Sequence, residues 1–417
     1  MRKMKPSGVE WIGDIPQEWE VIKLKYATEF KQIKYSEEYG ELNYIGLENI
    51  ISWNGMYLET SSQYDREQSL ICEENDILFG KLRPYLAKVY LNTKRQCCSS
   101  EFCVIKILEN NTKYFWYQLI SHGFIFMVDR STYGTKMPRA NSDFIRSLYV
   151  SIPPLSEQQR IAEFLDRKCA EIDSIIAKTK ATVEEYKALK QVVITQAVTK
   201  GIRPDRPMKD SGVEWIGDIP QEWSKDKVFR VFSTIGSGTT PKSSDESKYE
   251  GNINWIQSGD INGGIITEVN NHLSIEAINK YSALRMYALP FIVIAMYGAS
   301  IGNISISKID SCVNQACCVL AEPKININYA FLSIKAAKNY LITKAVGGGQ
   351  PNISQDIVKS LWLPIPPLPE QKSIADYLDH KCAEIDRLIA AKEQLLTELE
   401  SYKKSVIYEY VTGKKEI

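Results

Sequence analysis

SGVEWIGDIPQEW, from Ser7 to Trp19, returns without a change from Ser211 to Trp223. Thirteen identical residues at such a distance make an internal repeat, and a repeat decides the architecture before any single motif does. A second block follows each copy. IPPLSEQQRIAEFLDRKCAEID spans Ile152–Asp173 and IPPLPEQKSIADYLDHKCAEID spans Ile365–Asp386, with sixteen of 22 positions identical. The first block recurs after 204 residues and the second after 213, so the stretches between them differ by nine residues. The unit is therefore a domain followed by a helix, used twice. Shared blocks suit a common scaffold or partner, and the divergent stretches between them suit two different ligands. Duplication followed by aimless drift is the competing account, but it does not explain why the entrance and the exit of each domain are the parts kept.

Beyond Pro153-Pro154 and Pro366-Pro367 the chain loses Gly and Pro and takes up a seven-residue apolar spacing. Leu165, Ile172, Thr179, Tyr186 and Val193 form one series, with Ile175 and Leu189 three residues beyond two of its members. Leu378, Ile385, Lys392, Leu399 and Val406 form the other, joined by Leu388, Leu395 and Tyr402. The paired prolines suit a helix entrance, where a missing N–H costs nothing, and Gly201 and Gly413 suit helix stops. Some 45 helical residues make a rod of about 68 Å, which reads as a spacer. Two such rods bury their apolar stripes most simply by pairing antiparallel, with one domain at each end. The alternative is that each rod packs on a separate partner protein. Thr179 and Lys392 in the seam suggest register control or a place where another chain joins.

Residues 20–151 and 224–364 mix short β-like runs, such as Asp76–Phe79 and Cys103–Ile107, with helical stretches such as Tyr114–Ile120 and Tyr329–Ala337. Each reads as an α/β domain. Charge separates within the first: residues 1–76 carry 8 basic and 15 acidic side chains, and residues 77–147 carry 11 basic and 4 acidic. A local positive face of this kind suits nucleic acid, although a solvated surface gives the same pattern. Lys81, Arg83 and Tyr85 follow a strand-like run, and Tyr133, Thr135, Lys136, Arg139 and Asn141 share a loop. In the second domain the corresponding candidates are Ser237, Thr239, Lys242, Tyr297, Ser300, Gln350 and Asn352, in three glycine-containing segments. Arg and Asn match the edges of guanine and adenine, Lys matches phosphate, and glycines let backbone amides approach phosphate oxygens. Each segment taken alone also reads as an ordinary surface turn; the set is what points to DNA.

Composition excludes several classes. Hydrophobic residues at 44% and charged residues at 24% are soluble-globular values. The apolar run Ala288–Ala299 is broken by Pro290 and falls short of the ~20 residues needed to span a bilayer, so it reads as a buried strand and no membrane association is expected. No apolar segment follows the charged start, so a cytoplasmic location is expected. Nine cysteines, without a C-x-x-C pair and with three His, read as reduced core thiols rather than a zinc site or disulfides. With 51 basic and 51 acidic residues there is no global basic signal.

Catalytic motifs are missing as well. There is no G-x-x-x-x-G-K-[ST] loop for a nucleotide, and Pro241 occupies the place of the third glycine in a dinucleotide fingerprint begun by Gly236 and Gly238. The Pro-Pro pairs are preceded by Ile152 and Ile365, not by the Asn or Asp of an amino-methyltransferase. Glu185-Tyr-Lys187 has a nuclease-like spacing but sits on the helix face. No cofactor and no catalytic residue are expected.

The two repeated blocks, in this order and twice over, resemble the specificity subunits of type I restriction-modification systems along the whole chain. The resemblance implies an α+β chain: target recognition domain 1 at 1–152, long helix 1 at 153–203, target recognition domain 2 at 204–365 and long helix 2 at 366–417. Two pseudo-repeated α/β domains are thus separated by two long helices pairing as an antiparallel coiled coil. It implies a non-catalytic subunit that recognises a bipartite, asymmetric site on double-stranded DNA. It implies two modification (methyltransferase) subunits as partners, which carry S-adenosylmethionine and methylate adenine, and restriction/translocase subunits that add ATP-driven translocation and cleavage. The matched positions carried over to subunit contact are Pro154, Leu155, Glu157 and Gln158, with Pro367, Leu368, Glu370 and Gln371. Segments Asp76–Tyr85, Ser237–Pro241 and Trp255-Ile256 are similar to stretches recurrent in such domains. The alternative keeps the architecture as a coiled-coil adaptor bridging two protein partners without reading bases.

Overall fold

The computed structural model describes residues 2–60, 68–134, 136–242, 246–347 and 351–417. The chain divides into two compact units, residues 1–181 with 392–417, and residues 182–391. Both boundaries fall inside the long helices, which run Leu155–Lys200 and Leu368–Val411. Each unit therefore holds one domain, the first part of the helix that leaves it and the last part of the other helix.

In the first unit a short hairpin pairs Met4–Pro6 with Asp14–Pro16, and Glu20–Lys23 pairs antiparallel with Tyr149–Ile152, so entrance and exit of the domain lie side by side. The main sheet has four antiparallel strands in the order Thr28–Lys31, Phe102–Ile107, Ile77–Gly80, Val89–Leu91. A small sheet sets Gln96–Cys98 between Tyr44–Ile45 and Leu70–Cys72. The helix Thr112–Ile120 starts on Asn111, whose side chain accepts from the Tyr114 N–H, and it packs the apolar side chains Tyr114, Phe115 and Leu119 into the core with Phe79 and Ile105.

The second unit repeats this plan with longer strands. Met208–Asp210 pairs with Asp218–Pro220, and Ser224–Lys227 pairs with Trp362–Ile365. Its main sheet runs Phe232–Gly236, Cys317–Pro323, Phe291–Ala295, Ile304–Ser307, Ile265–Ile266. Phe291–Ala295 is buried at every position, as the apolar run around it led one to expect. Ile327–Ala336 is the counterpart helix, capped by the Asn326 side chain. Eight of the nine cysteines are buried, Cys382 is half-buried, and all are free thiols. No helix among the described residues is long and apolar enough to cross a membrane.

The two helices are antiparallel within each unit. In the first, Lys403 Nζ meets Asp173 at 2.7 Å and Lys180 Nζ meets Glu400 at 3.8 Å, so one helix rises in number as the other falls. In the second, Lys190 Nζ meets Asp386 at 2.6 Å. Lys190 and Lys403, like Asp173 and Asp386, are 213 residues apart, so the two ion pairs are images of each other in the repeat. The main seam series faces inward: Leu165, Ile172 and Thr179 are buried, as are Leu378, Ile385 and Val406. Of the residues three positions further on, Leu395 is half-buried and four face outward. Ile175, Leu189, Leu388 and Tyr402 are 46%, 47%, 43% and 49% exposed, and the stripe is completed instead by residues four positions beyond the main series, Cys169, Val183 and Ala197, which are buried.

Candidate DNA interface and its supporting joint

The repeated blocks meet in space and build one joint in each unit. In the first, Glu157 on the opening turn of the helix accepts Trp19 Nε1 at 3.0 Å and Arg2 at 2.5 and 2.8 Å. This hydrogen bonding holds the Arg2 guanidinium above its ordinary pKa. Gln158 is buried: its Oε1 accepts the Asn111 N–H at 2.9 Å and its Nε2 donates to the Pro153 carbonyl at 2.9 Å. The returning helix ends here too. Tyr114 donates its hydroxyl to the Val411 carbonyl at 3.1 Å, and Gly413 turns the chain at φ +70°, where an added Cβ would lie 2.4 Å from Pro16 Cδ.

The second joint is the same device. Glu370 accepts Trp223 Nε1 at 2.9 Å and pairs with Arg206. Gln371 accepts the Asn326 N–H and donates to Pro366 O, both at 2.8 Å. Tyr329 donates to Val198 O at 3.1 Å and Pro364 O at 3.0 Å, and Gly201 turns at φ +77°. The thirteen-residue repeat is thus explained by packing: it supplies the tryptophan that caps the helix entrance. Of the residues carried over to subunit contact, Glu157, Gln158, Glu370 and Gln371 are committed to these internal joints, whereas Leu155 and Leu368 stand 57% and 62% exposed.

At another edge of each domain the DNA candidates gather into a clamp made of backbone bonds. In domain 1, Lys81 donates its N–H to Glu101 O at 2.9 Å and accepts from Ala140 N–H at 3.0 Å, and Arg83 N–H reaches Pro138 O at 2.7 Å. Arg139 and Tyr133 exchange both backbone bonds, at 3.1 and 3.3 Å. This brings Lys81 and Arg83 against Pro138, Arg139 and Ala140, with Tyr133 paired to Arg139. Arg83, Tyr85, Tyr133 and Lys136 are exposed. Arg83 holds φ +50°, a left-handed backbone that the surrounding bonds must enforce. Arg139 is ion-paired with Glu101. Asn141 is exposed but caps the helix Ser142–Ser147, its side chain accepting from Asp143 N–H at 2.7 Å. Thr135 lies outside the described residues.

Domain 2 has the same clamp. Met296 donates to Ala316 O at 2.7 Å and accepts from Ile353 N–H at 2.8 Å, while Asn352 and Val346 exchange two bonds of 3.0 Å. Lys81, Glu101, Ala140, Arg139 and Tyr133 therefore correspond to Met296, Ala316, Ile353, Asn352 and Val346. The Gly236–Lys242 segment joins through Gln315: Ser237 Oγ donates to the Gln315 carbonyl at 3.3 Å, and Thr240 Oγ1 bonds the Gln315 side chain. Tyr297 and Ser300 sit in the turn after the buried strand Phe291–Ala295, and burial pushes the Tyr297 phenol up. Thr239 is half-buried, Lys242 and Asn352 are exposed, and Gln350 lies outside the described residues.

Glu101 and Gln315 escaped the sequence reading. Both stand just before a core strand in unremarkable sequence, and their partners are 38 and 75 residues away. A usable signal existed: Tyr133 to Arg139 and Val346 to Asn352 have the same spacing, each with Gly second and Pro next to last. Among the described residues no group of three or more His, Cys, Asp or Glu could hold a metal ion.

A scan against family models matches the type I restriction modification DNA specificity domain twice, at residues 16–185 and 220–401. The chain belongs to the type I restriction modification DNA specificity family. Each matched stretch of this specificity chain holds one clamp and the first part of the helix that follows. The type I restriction enzyme MjaVIII specificity subunit of Methanocaldococcus jannaschii is 25% identical over 420 residues, 96% of this chain and 93% of the relative. The EcoBI specificity subunit of Escherichia coli is 24% identical over 331 residues, 75% of this chain and 68% of the relative. The fold is that of a solved chain from work on complex assembly and conformational transition of the type I R-M system. That likeness has a TM-score of 0.77 at 19% identity and covers 96% of this chain and 99% of the other. The HsdS subunit from Thermoanaerobacter tengcongensis matches with a TM-score of 0.53 at 18% identity, over 96% and 98%.

Proposed function

We propose that each domain reads one half of a bipartite, asymmetric site on double-stranded DNA through its clamp, and that the long helices dock two modification subunits, with restriction/translocase subunits as further partners. In this reading the chemistry, adenine methylation and cleavage, belongs to those subunits, and the chain works in the cytoplasm. The observation that carries it is a contrast. The joints agree residue by residue between the two domains, whereas the clamps share backbone bonds and differ in nearly every side chain. A surface that keeps its frame and changes its donors and acceptors suits two different DNA sequences.

The outward-facing apolar residues of the long helices support docking. Ile175 and Tyr402 in one unit, and Leu189, Val192 and Leu388 in the other, leave apolar surface on elements otherwise lined with charge. The exposed Leu155 and Leu368 extend this surface at the helix entrances.

The test is selection of the full chain, with any subunits that co-purify, on a random duplex library at several salt concentrations. Two short half-sites at a constant gap are expected, and affinity should fall steeply as salt rises because phosphate contacts release counterions. Replacing residues 20–151 with another domain of the family should change one half-site and leave the other. One weak affinity for all duplexes, or a change in both half-sites, overturns the reading.

A further inference from the structure

The clamps differ most at one coupled pair of positions. In domain 1, Arg139 Nε donates to Glu101 Oε2 at 3.0 Å and Nη2 donates to Oε1, a two-point pairing that fixes the guanidinium plane. The arginine side chain remains 43% exposed beside a carboxylate that is 27% exposed, so the head is oriented without being buried. The pairing uses the Nε and Nη2 edge. Nη1 and the outer hydrogen of Nη2 are left as two parallel donors, the arrangement that matches O6 and N7 of guanine in the major groove. In domain 2 both partners have changed together: Asn352 replaces Arg139 and Ala316 replaces Glu101, while the backbone bonds that hold them are kept. An orienting carboxylate has no purpose beside asparagine, whose short amide is already stiff. That amide supplies one donor and one acceptor, which match N6 and N7 of adenine.

We infer that Arg139, held by Glu101, reads a guanine in the half-site of domain 1, and that Asn352 reads an adenine at the matching place in the half-site of domain 2. The inference rests on the DNA-reading function proposed above and assigns its discriminating residues. A purely structural Arg139–Glu101 clasp would stabilise the loop and leave base preference untouched, so base preference is the readout.

Wild type, Glu101→Gln, Arg139→Asn with Glu101→Ala, and Asn352→Arg are selected as full chains, with their co-purified subunits, on the same random duplex pool. The double variant should replace guanine by adenine at one position of one half-site, and Asn352→Arg should replace adenine by guanine at one position of the other. Enrichment at that position should change by roughly 5- to 150-fold, the range of one bidentate base contact. Glu101→Gln should weaken the preference for guanine without changing its identity. Asn352 is exposed, so that variant decides the matter if the double variant does not fold. If wild type selects two half-sites and the folded variants select the same ones, the assignment of these residues is overturned and the DNA reading stands. If wild type selects no half-site, both fall.

Discussion

Replacing Glu370 by Ala removes the carboxylate on which the second joint converges. Its side chain is 9% exposed, that of Arg206 is 10% exposed, and Trp223 Nε1 donates to it at 2.9 Å. Without Glu370, the nearest ion-pair partner of Arg206 is Glu222 at 3.5 Å, half-exposed to water. Taking one member from a buried ion pair costs about 3–5 kcal/mol, because the other charge stays desolvated. The orphaned indole N–H costs about 1–3 kcal/mol taken alone, but both losses occur at one site and do not add in full. We expect Glu370→Ala to destabilise the second unit by about 4 kcal/mol. Glu157→Ala is the internal control: there Arg2 is less buried than Arg206, at 17% against 10% exposed, and retains its direct pair with Glu18, so about 2 kcal/mol is expected. Amide exchange under graded urea reads the two units separately, through segments 211–223 and 7–19. Glu370→Gln, which keeps an acceptor for Trp223 and loses the charge, should fall between wild type and Glu370→Ala. The reasoning fails if Glu370→Ala costs no more than Glu157→Ala, or if both stay below about 1 kcal/mol.

Tyr329→Phe should cost about 1–3 kcal/mol, because two buried carbonyls, Val198 O and Pro364 O, lose their phenol donor. Tyr114→Phe should cost less in the same exchange experiment, since Ser151 Oγ still donates to Val411 O at 2.5 Å. Gly413→Ala combines left-handed strain with a contact 2.4 Å from Pro16 Cδ, so about 2–4 kcal/mol is expected. Gly201→Ala meets Arg206, Trp223 and Glu370 side-chain atoms at 3.1–3.3 Å, which must give by a few tenths of an ångström, so with the left-handed strain about 1–3 kcal/mol is expected in urea unfolding. Burial, with Lys190 nearby, pulls the pKa of Lys335 below its ordinary value, so the unfolded chain binds the proton more tightly. Stability of the second unit should therefore rise with pH between the lowered folded value and 10.5, and Lys335→Met should remove that part of the slope in unfolding curves measured across the window.

The fold was legible where the sequence spoke through identity and period. The thirteen-residue repeat and the seam residues Leu165, Ile172, Leu378 and Ile385 announce a duplicated domain and two long helices directly. The joints were not legible, since Trp19 and Glu157 are 138 residues apart and nothing local says that one caps the other. For the same reason the start of a helix does not announce that Gln158, which the resemblance carries over to subunit contact, is 1% exposed and bonded to Asn111 and Pro153. The seam was half legible. Period alone assigns Ile175 and Leu189 to the inside, but the helix pair closes on residues four positions beyond the main series, such as Cys169, Val183 and Ala197, and leaves Ile175 and Leu189 facing out. In the clamps, Gly and Pro marked the turns and Arg, Lys and Asn marked the chemistry. Arg139 stood among the sequence candidates, and the carboxylate that pairs with it did not, because Glu101 reaches it across 38 residues.

The contrast between joint and clamp has an energetic basis. A joint is held by buried side chains, so a change at Glu370 or Trp223 is felt at several kcal/mol and the residues are pinned. A clamp is held by main-chain bonds that any residue can make: Lys81 and Met296 form the same pair of bonds, as do Arg139 and Asn352. Its exposed side chains can therefore change at a stability cost usually within about 0.5 kcal/mol, while each exchange alters the donors and acceptors offered to a base. Arg139 shows the limit of that freedom. On the proposed reading its pairing makes Glu101 part of the surface offered to DNA, so Arg139→Asn without a change at Glu101 would leave an unpaired carboxylate there, repelling phosphate where attraction is needed. Positions 101 and 139 must change together, as their counterparts Ala316 and Asn352 have.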